Sequence, residues 1–261
     1  MRPALLLTMA SGCEMAADDP PRTRRYPPYA TPSFDGVERI GVFAPGPEGF
    51  DQLESTLDLF HTEGVALIIQ LGEALLRRGT AHSTEIDHYR RLLRRRQQAM
   101  LVCTDDLGRA AHLLRAGVRG GDARTVRPNI VHLDCGFRTR LSNDDLFTVV
   151  CPSPTPPNQP STVWASNGRG GLAGQVGLAV SSTQLDVTAV VRELAPKLLI
   201  SAGHGPFLDK SFSHESPSGE LISCRAIVFG DRRGQRIDHA IVNLNDATVR
   251  LPHEQEAEGE I

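Results

Sequence analysis

The sequence predicts an α/β domain, and three features carry that expectation. Short apolar runs ending at Gly or Pro alternate with stretches whose apolar residues recur at helical spacing. At 261 residues the chain is long enough for one large domain. Its 40% apolar and 23% charged composition is that of a globular protein, which excludes a wholly disordered or fibrous chain.

The first run, R-I-G-V-F at 39–43, ends at Pro45-Gly46-Pro47 and reads as a strand. Residues 50–63 follow as a helix, with Leu53, Leu57 and Phe60 on one face. Gly64 stops that helix, and V-A-L-I-I-Q-L at 65–71 is a second buried strand. Residues 88–98 form a very basic helix, 99–103 a third strand and 107–115 another helix. Two strand–helix–strand steps in such close succession require a parallel or mixed sheet covered by helices.

Further strands are expected at 130–133, 146–150, 197–202, 225–229 and 240–244, with a helix at 183–194 that ends at Pro196. The proline cluster between Cys151 and Pro160 must be a loop, and glycine-rich 168–177 a surface loop. Asp231-Arg232-Arg233-Gly234 reads as a turn between the last two strands. Prolines at 20, 21, 27, 28 and 32 rule out a helix or central strand over residues 14–36. The domain is therefore expected to occupy 37–250, between an extended N-terminal tail at 1–36 and an acidic tail at 251–261.

A net charge of -3 gives no global attraction to nucleic acid or anionic membrane. No stretch reaches the ~18 apolar residues that a spanning helix needs. The five cysteines (Cys13, Cys103, Cys135, Cys151, Cys224) form no CxxC pair, so neither a zinc ribbon nor a thioredoxin-type motif is indicated. They read as buried, reduced thiols of a cytoplasmic protein. The alternative is a lipoprotein anchored at Cys13, since Ala10-Ser11-Gly12-Cys13 after a short apolar run is weakly similar to a bacterial lipoprotein signal. The arginine-, glycine- and proline-rich composition is that of a high-GC genome, bacterial or phage.

In α/β sheets the chemistry sits where strands end in short loops. The blocks at those ends are I-G-V-F-A-P-G-P-E-G-F, V-A-L-I-I-Q-L-G-E-A, M-L-V-C-T-D-D-L, T-V-W-A-S-N-G and A-P-K-L-L-I-S-A-G-H-G-P. Their order and spacing resemble the calcineurin-like metallophosphoesterases, whose strands end in DxH, GD, GNH[DE], His and GHxH. The resemblance runs from Val37 to Val249 and implies a four-layer αββα sandwich of mixed sheets. In that family two metal ions clamp a phosphate and activate a water.

Carried over position by position, the resemblance places the first two ligands at Pro45 and Pro47, and proline's side chain has no donor atom for a metal. Glu73 stands where the bridging Asp belongs, one methylene longer. Thr104 replaces the ligand Asn, Asp105 the catalytic His, and Asp106 keeps the acidic position. An aspartate cannot serve as the proton donor that histidine is at neutral pH. Asn167 replaces a ligand histidine; His204 is kept, and Pro206 replaces the last one.

The remnant donors are thus Glu73, Asp106 and His204, enough for at most one weakly held Mn or Mg ion and not for a metal pair. Their plain structural readings are a solvated loop carboxylate, a helix N-cap and a strand-end histidine. The resemblance implies a pseudoenzyme with a binding, regulatory or structural role. One alternative is an active, diverged metal-dependent phosphoesterase for a phosphomonoester or phosphodiester; another is a component of a larger assembly. Arg90, Arg91, Arg94 and Arg95 form a basic helix face, either merely solvated or able to grip an anion. The partner classes implied are a protein or a phosphorylated small molecule, with nucleic acid disfavoured. The remaining histidines, His132 and His239 among them, read as structural or exposed.

Overall fold

The computed structural model describes residues 34–44, 50–72, 82–103, 123–127, 129–133, 136–152, 163–164, 175–183, 185–215, 221–232 and 235–252. The N-terminal half opens with β1 (Arg39–Phe43), α1 (Phe50–Thr62), β2 (Leu67–Leu71), α2 (His82–Arg95) and β3 (Ala99–Cys103). It continues with β4 (Ala123–Arg127), β5 (Ile130–Leu133), β6 (Arg138–Arg140), β7 (Leu146–Val149), β8 (Cys151–Pro152) and β9 (Val163–Trp164). The C-terminal half holds β10 (Val176–Ser181), α3 (Val187–Leu194), β11 (Leu198–Ser201), β12 (Leu208–Glu215) and β13 (Leu221–Val228). Last come β14 (Gly230–Arg232), β15 (Gln235–Ile237), β16 (His239–Asn243) and β17 (Val249–Arg250).

Two large mixed sheets result, a seven-stranded one ordered β17-β16-β1-β2-β3-β5-β4 and a six-stranded one ordered β12-β13-β11-β10-β7-β6. In the first, β1, β2, β3 and β5 run parallel, with β16 and β4 antiparallel on either side. In the second, β7, β10, β11 and β13 run parallel, bordered by antiparallel β6 and β12.

The period-2 alternation of each central strand explains the layering. Ile69, Leu71 and Leu101 of the first sheet share one core with Phe147, Val180 and Ile200 of the second. The alternate residues Ile68, Met100 and Val102 instead meet Leu57 and Phe60 of α1 and Leu93 of α2. On the far side, Leu146, Ala179 and Leu199 pack on Val190 and Val191 of α3. Helices, sheet, sheet and helix therefore form four layers, the αββα sandwich expected. Each sheet is apolar on both faces, which is why its strands read as continuous apolar runs.

Gly64 ends α1 as expected: at φ 73° it lets its own amide donate to His61 and that of Val65 to Phe60. Other boundaries differ. Helix α2 begins at His82, six positions before the expected start, because Ile86 buries against the sheet and extends the apolar face by a turn. Helix α3 begins only at Val187, because the Asp186 carboxylate accepts from the amides of Thr188 and Ala189 and caps it there. The expected loop at 168–177 runs into β10 at Val176, where Gly177 is needed because a Cβ would stand 2.6 Å from the Asp145 side chain.

Within the expected 151–160 loop, Cys151 and Pro152 pair with Val163 and Trp164. The expected turn at 231–234 sits inside the β14–β15 hairpin. Strand β13 starts at Leu221 rather than 225, because it pairs with β12 over its whole length. The fold also begins before residue 37: Phe34 is buried and stacks on Phe147 with ring centroids 5.1 Å apart. The expected helix at 107–115 and the tail from 253 lie outside the described residues. Cys103 and Cys224 are buried free thiols, as expected of them. Among the described residues no helix is long and apolar enough to cross a membrane.

Candidate functional site

Between β13 and β16 the chain passes from one sheet to the other through the β14–β15 hairpin. That hairpin touches the C-terminal ends of strands in both sheets. On the six-stranded side, the Phe207 amide donates to the Asp231 carbonyl at 2.9 Å and the Asp231 amide to the Gly205 carbonyl at 3.0 Å. On the other side, the Ala44 amide, just past β1, donates to the Asp238 carbonyl at 2.7 Å. The C-terminal ends of β1 and β11 therefore lie at one end of the sandwich, where parallel sheets place their ligands.

Glycine makes the close approach of the loop after β11 to the hairpin feasible. A Cβ on Gly230 would stand 2.9 Å from the Pro206 carbonyl carbon, and one on Gly203 would stand 2.8 Å from the Phe229 carbonyl oxygen. Arg236 donates to the Gly203 carbonyl at 3.5 Å, and its Nε is buried without a partner. The Arg232 guanidinium lies over the Phe207 ring, 5.7 Å from its centroid.

His204, on that loop, is exposed; Pro206 is exposed too and its backbone bridges to Asp231. Pro45, Pro47, Glu73, Thr104, Asp105, Asp106 and Asn167 lie outside the described residues. Among the described residues no three His, Cys, Asp or Glu side chains gather closely enough to hold a metal ion. Of the positions singled out by the resemblance, only His204 and Pro206 lie among the described residues, and of the two only His204 carries a side-chain donor.

Two residues at this edge escaped the sequence reading. Asp238 is buried and holds His239 Nδ1 at 2.7 Å, while the ring packs edge-on to Phe60 and leaves Nε2 buried without a partner. Arg236 is the other. Their sole sequence signal is the polar run Arg236–His239, broken by Ile237, where one strand hands over to the next. On α2, Arg91, Arg94 and Arg95 are exposed, whereas Arg90 lies 3.7 Å from Asp87. Arg96 is instead tied to α1, its Nε donating to Asp58 at 2.8 Å.

Burial pushes the Cys103 thiol far above the ordinary range and that of Cys224 up to about 11. Neither serves as a thiolate ligand or nucleophile at neutral pH.

The architecture defines a class of protein: a double mixed sheet with helices on both outer faces and its strand ends gathered at one rim. No family model matches the chain, and no curated protein matches it. Among solved structures it is similar to the Thermus thermophilus protein TT1561, with 14% identity and a TM-score of 0.49 over 83% of this chain and 98% of that one. It is also similar to a novel archaeal phosphodiesterase, with 10% identity and a TM-score of 0.42 over 82% of this chain and 98% of that one.

Proposed function

We propose that this chain is a binding or regulatory protein on a metallophosphoesterase-like scaffold, its ligand a phosphorylated small molecule rather than a phosphoester that it hydrolyses through a metal pair. The observation that carries this reading is the loop after β11, where His204 stands exposed with no carboxylate, thiol or imidazole cluster beside it among the described residues, and Pro206 occupies the position that the resemblance gives to a ligand histidine. The prolines at 45 and 47 support it from the sequence, since neither offers a metal a side-chain donor. A site without that donor set would not lower the pKa of a bound water, and the route to a hydroxide nucleophile at neutral pH would be lost.

The test is hydrolysis of p-nitrophenyl phosphate and bis-p-nitrophenyl phosphate with added manganese. No turnover above the metal-only background is expected. Turnover abolished by His204→Ala would establish the diverged phosphoesterase instead, with Glu73 and Asp106 as its further ligands. Assembly of the purified protein into a defined particle would favour the structural role.

A further inference from the structure

We propose that the free edge of β12 pairs with its own counterpart in a second copy of the chain, joining two six-stranded sheets across a two-fold axis at Ser211. The inference does not depend on any ligand at the strand-end rim; it concerns the lateral edge of the second sheet.

The two large sheets have their edges at β17, β4, β12 and β6, and all but β12 are blunted. Strand β17 has two residues, β6 has three, and β4 breaks register between Thr125 and Arg127. Short or bulged edge strands are poor templates for another chain. Strand β12 has eight residues, no proline and an unbroken register with β13 from Leu208 to Glu215. Among the described residues, β13 alone bonds to its backbone. The N–H and C=O groups of alternate residues therefore point away from the sheet. The charges that could guard this edge are already engaged. Asp209 accepts from Arg225 at 2.9 and 2.8 Å, and the Lys210 ammonium lies over the Phe212 ring, 5.2 Å from its centroid.

The β12–β13 hairpin also outruns its support. Strand β11 pairs with β13 only from Arg225 to Val228, so Phe212–Glu215 and Leu221–Cys224 extend past it. Two strands alone are marginal in water, and a third on the β12 side would complete the sheet there. Leu221, in this projecting half, is the exposed large apolar residue among those described.

A second copy fits because the strand is complementary to itself. Hydrogen-bonded and non-hydrogen-bonded pairs alternate in an antiparallel ladder, so a two-fold axis must pass through a residue paired with itself. An axis at Ser211 pairs β12 with its counterpart from 208 to 214. It sets Lys210 opposite the partner's Phe212 and Asp209 opposite the partner's Ser213, with no like charges facing. An axis at Lys210 would oppose two ammoniums, and one at Phe212 would set Asp209 against the partner's Glu215. An axis at Ser213 would pair only 211 to 215. Ser211 is small and exposed, which suits a self-pair.

The experiment is sedimentation equilibrium of the full chain across a wide concentration range, joined to cysteine cross-linking. The wild type is expected to reach twice the 28.4 kDa of one chain. Ser211→Asp sets two carboxylates opposite each other and should raise the dissociation constant about tenfold or more. Ser211→Cys should give a disulfide-linked dimer under mild oxidation, since self-paired Cα atoms stand ~4.5–5.5 Å apart, within disulfide range. Mass spectrometry of the linked peptide separates that bond from any made by the native cysteines. Ser213→Cys, whose two copies would lie apart along the strands, should not link through that position. A chain that stays monomeric leaves the edge to a foreign strand and overturns the proposal. A dimer untouched by Ser211→Asp, or linkage through Ser213→Cys and not Ser211→Cys, overturns it too. If Ser211→Asp fails to fold, the two cysteine variants decide.

Discussion

The Ala44 amide donates to the Asp238 carbonyl at 2.7 Å, and through that bond the crossover from one sheet to the other is tied to the end of β1. The opposite end of the same crossover rests on Gly230, whose Cα lies against the backbone of Gly205 and Pro206. Replacing Gly230 with Ala puts a methyl 2.9 Å from the Pro206 carbonyl carbon, and backbone cannot swing aside as a side chain can. Gly230→Ala should lower stability by about 1–3 kcal/mol in a denaturant melt, with loosened exchange protection at the Phe207 and Asp231 amides.

Phe60 lies across Gly41 in the same intimate way, but here the obstacle is a ring: an added Cβ would stand 2.6 Å from it. Gly41→Ala alone should be destabilising by roughly 1–3 kcal/mol. Phe60→Leu in that background should recover part of the loss, giving a non-additive double-mutant cycle. Strict additivity would mean that the helix and the strand do not touch in solution.

Ala195 and Ala247 occupy the left-handed region, at φ 43° and 56°. An L-residue there is strained by roughly 1–2 kcal/mol, and glycine is free of that strain. Ala195→Gly at the end of α3 should therefore stabilise the protein by about 0.5–1 kcal/mol after the added chain entropy of glycine is subtracted. A rise in melting temperature of a few degrees is the readout.

Burial raises the thiol of Cys103 beyond the titratable range and that of Cys224 to about 11, so both stay protonated at neutral pH. Iodoacetamide should leave both unmodified in the native protein until the pH nears 11 for Cys224, and modify both once guanidinium unfolds the chain. Mass spectrometry of the labelled peptides separates the two sites.

Asp246 accepts from the Thr248 hydroxyl at 2.7 Å and from its amide at 3.0 Å, and these bonds hold its carboxyl below the ordinary range. A depressed native pKa means that the group stabilises the fold above the pKa of the unfolded carboxyl, and that this contribution disappears as the pH falls through the native value. Asp246→Ala should accordingly lower the melting temperature at pH 7 and make no difference in strong acid.

The central strands were readable because burial on both faces leaves unbroken apolar runs such as Leu67–Leu71 and Ala99–Cys103. Edge strands were not: β12 (L-D-K-S-F-S-H-E) has only two apolar residues, Leu208 and Phe212, and its strand state comes from pairing with β13. Helix starts were misjudged where a cap or a single buried residue decided them, as at Asp186 and Ile86. At the rim, the lack of a side-chain donor at Pro206 was readable, because proline's chemistry does not depend on its surroundings. The contact of Arg236 with Gly203 was hidden, since it joins residues far apart in the chain.

Strand β1 sits between β2 and β16, so one neighbour is made at once and the other only after all the intervening strands. Until β16 emerges, one flank of an apolar strand in the middle of the future sheet stands open, a ready template for a stranger's backbone. Nascent or truncated chains ending before Asp238 are therefore expected to clump rather than to yield a smaller folded unit. Refolding should be slow for the same reason, since the sheet closes only when β1 and the distant β16 find one another.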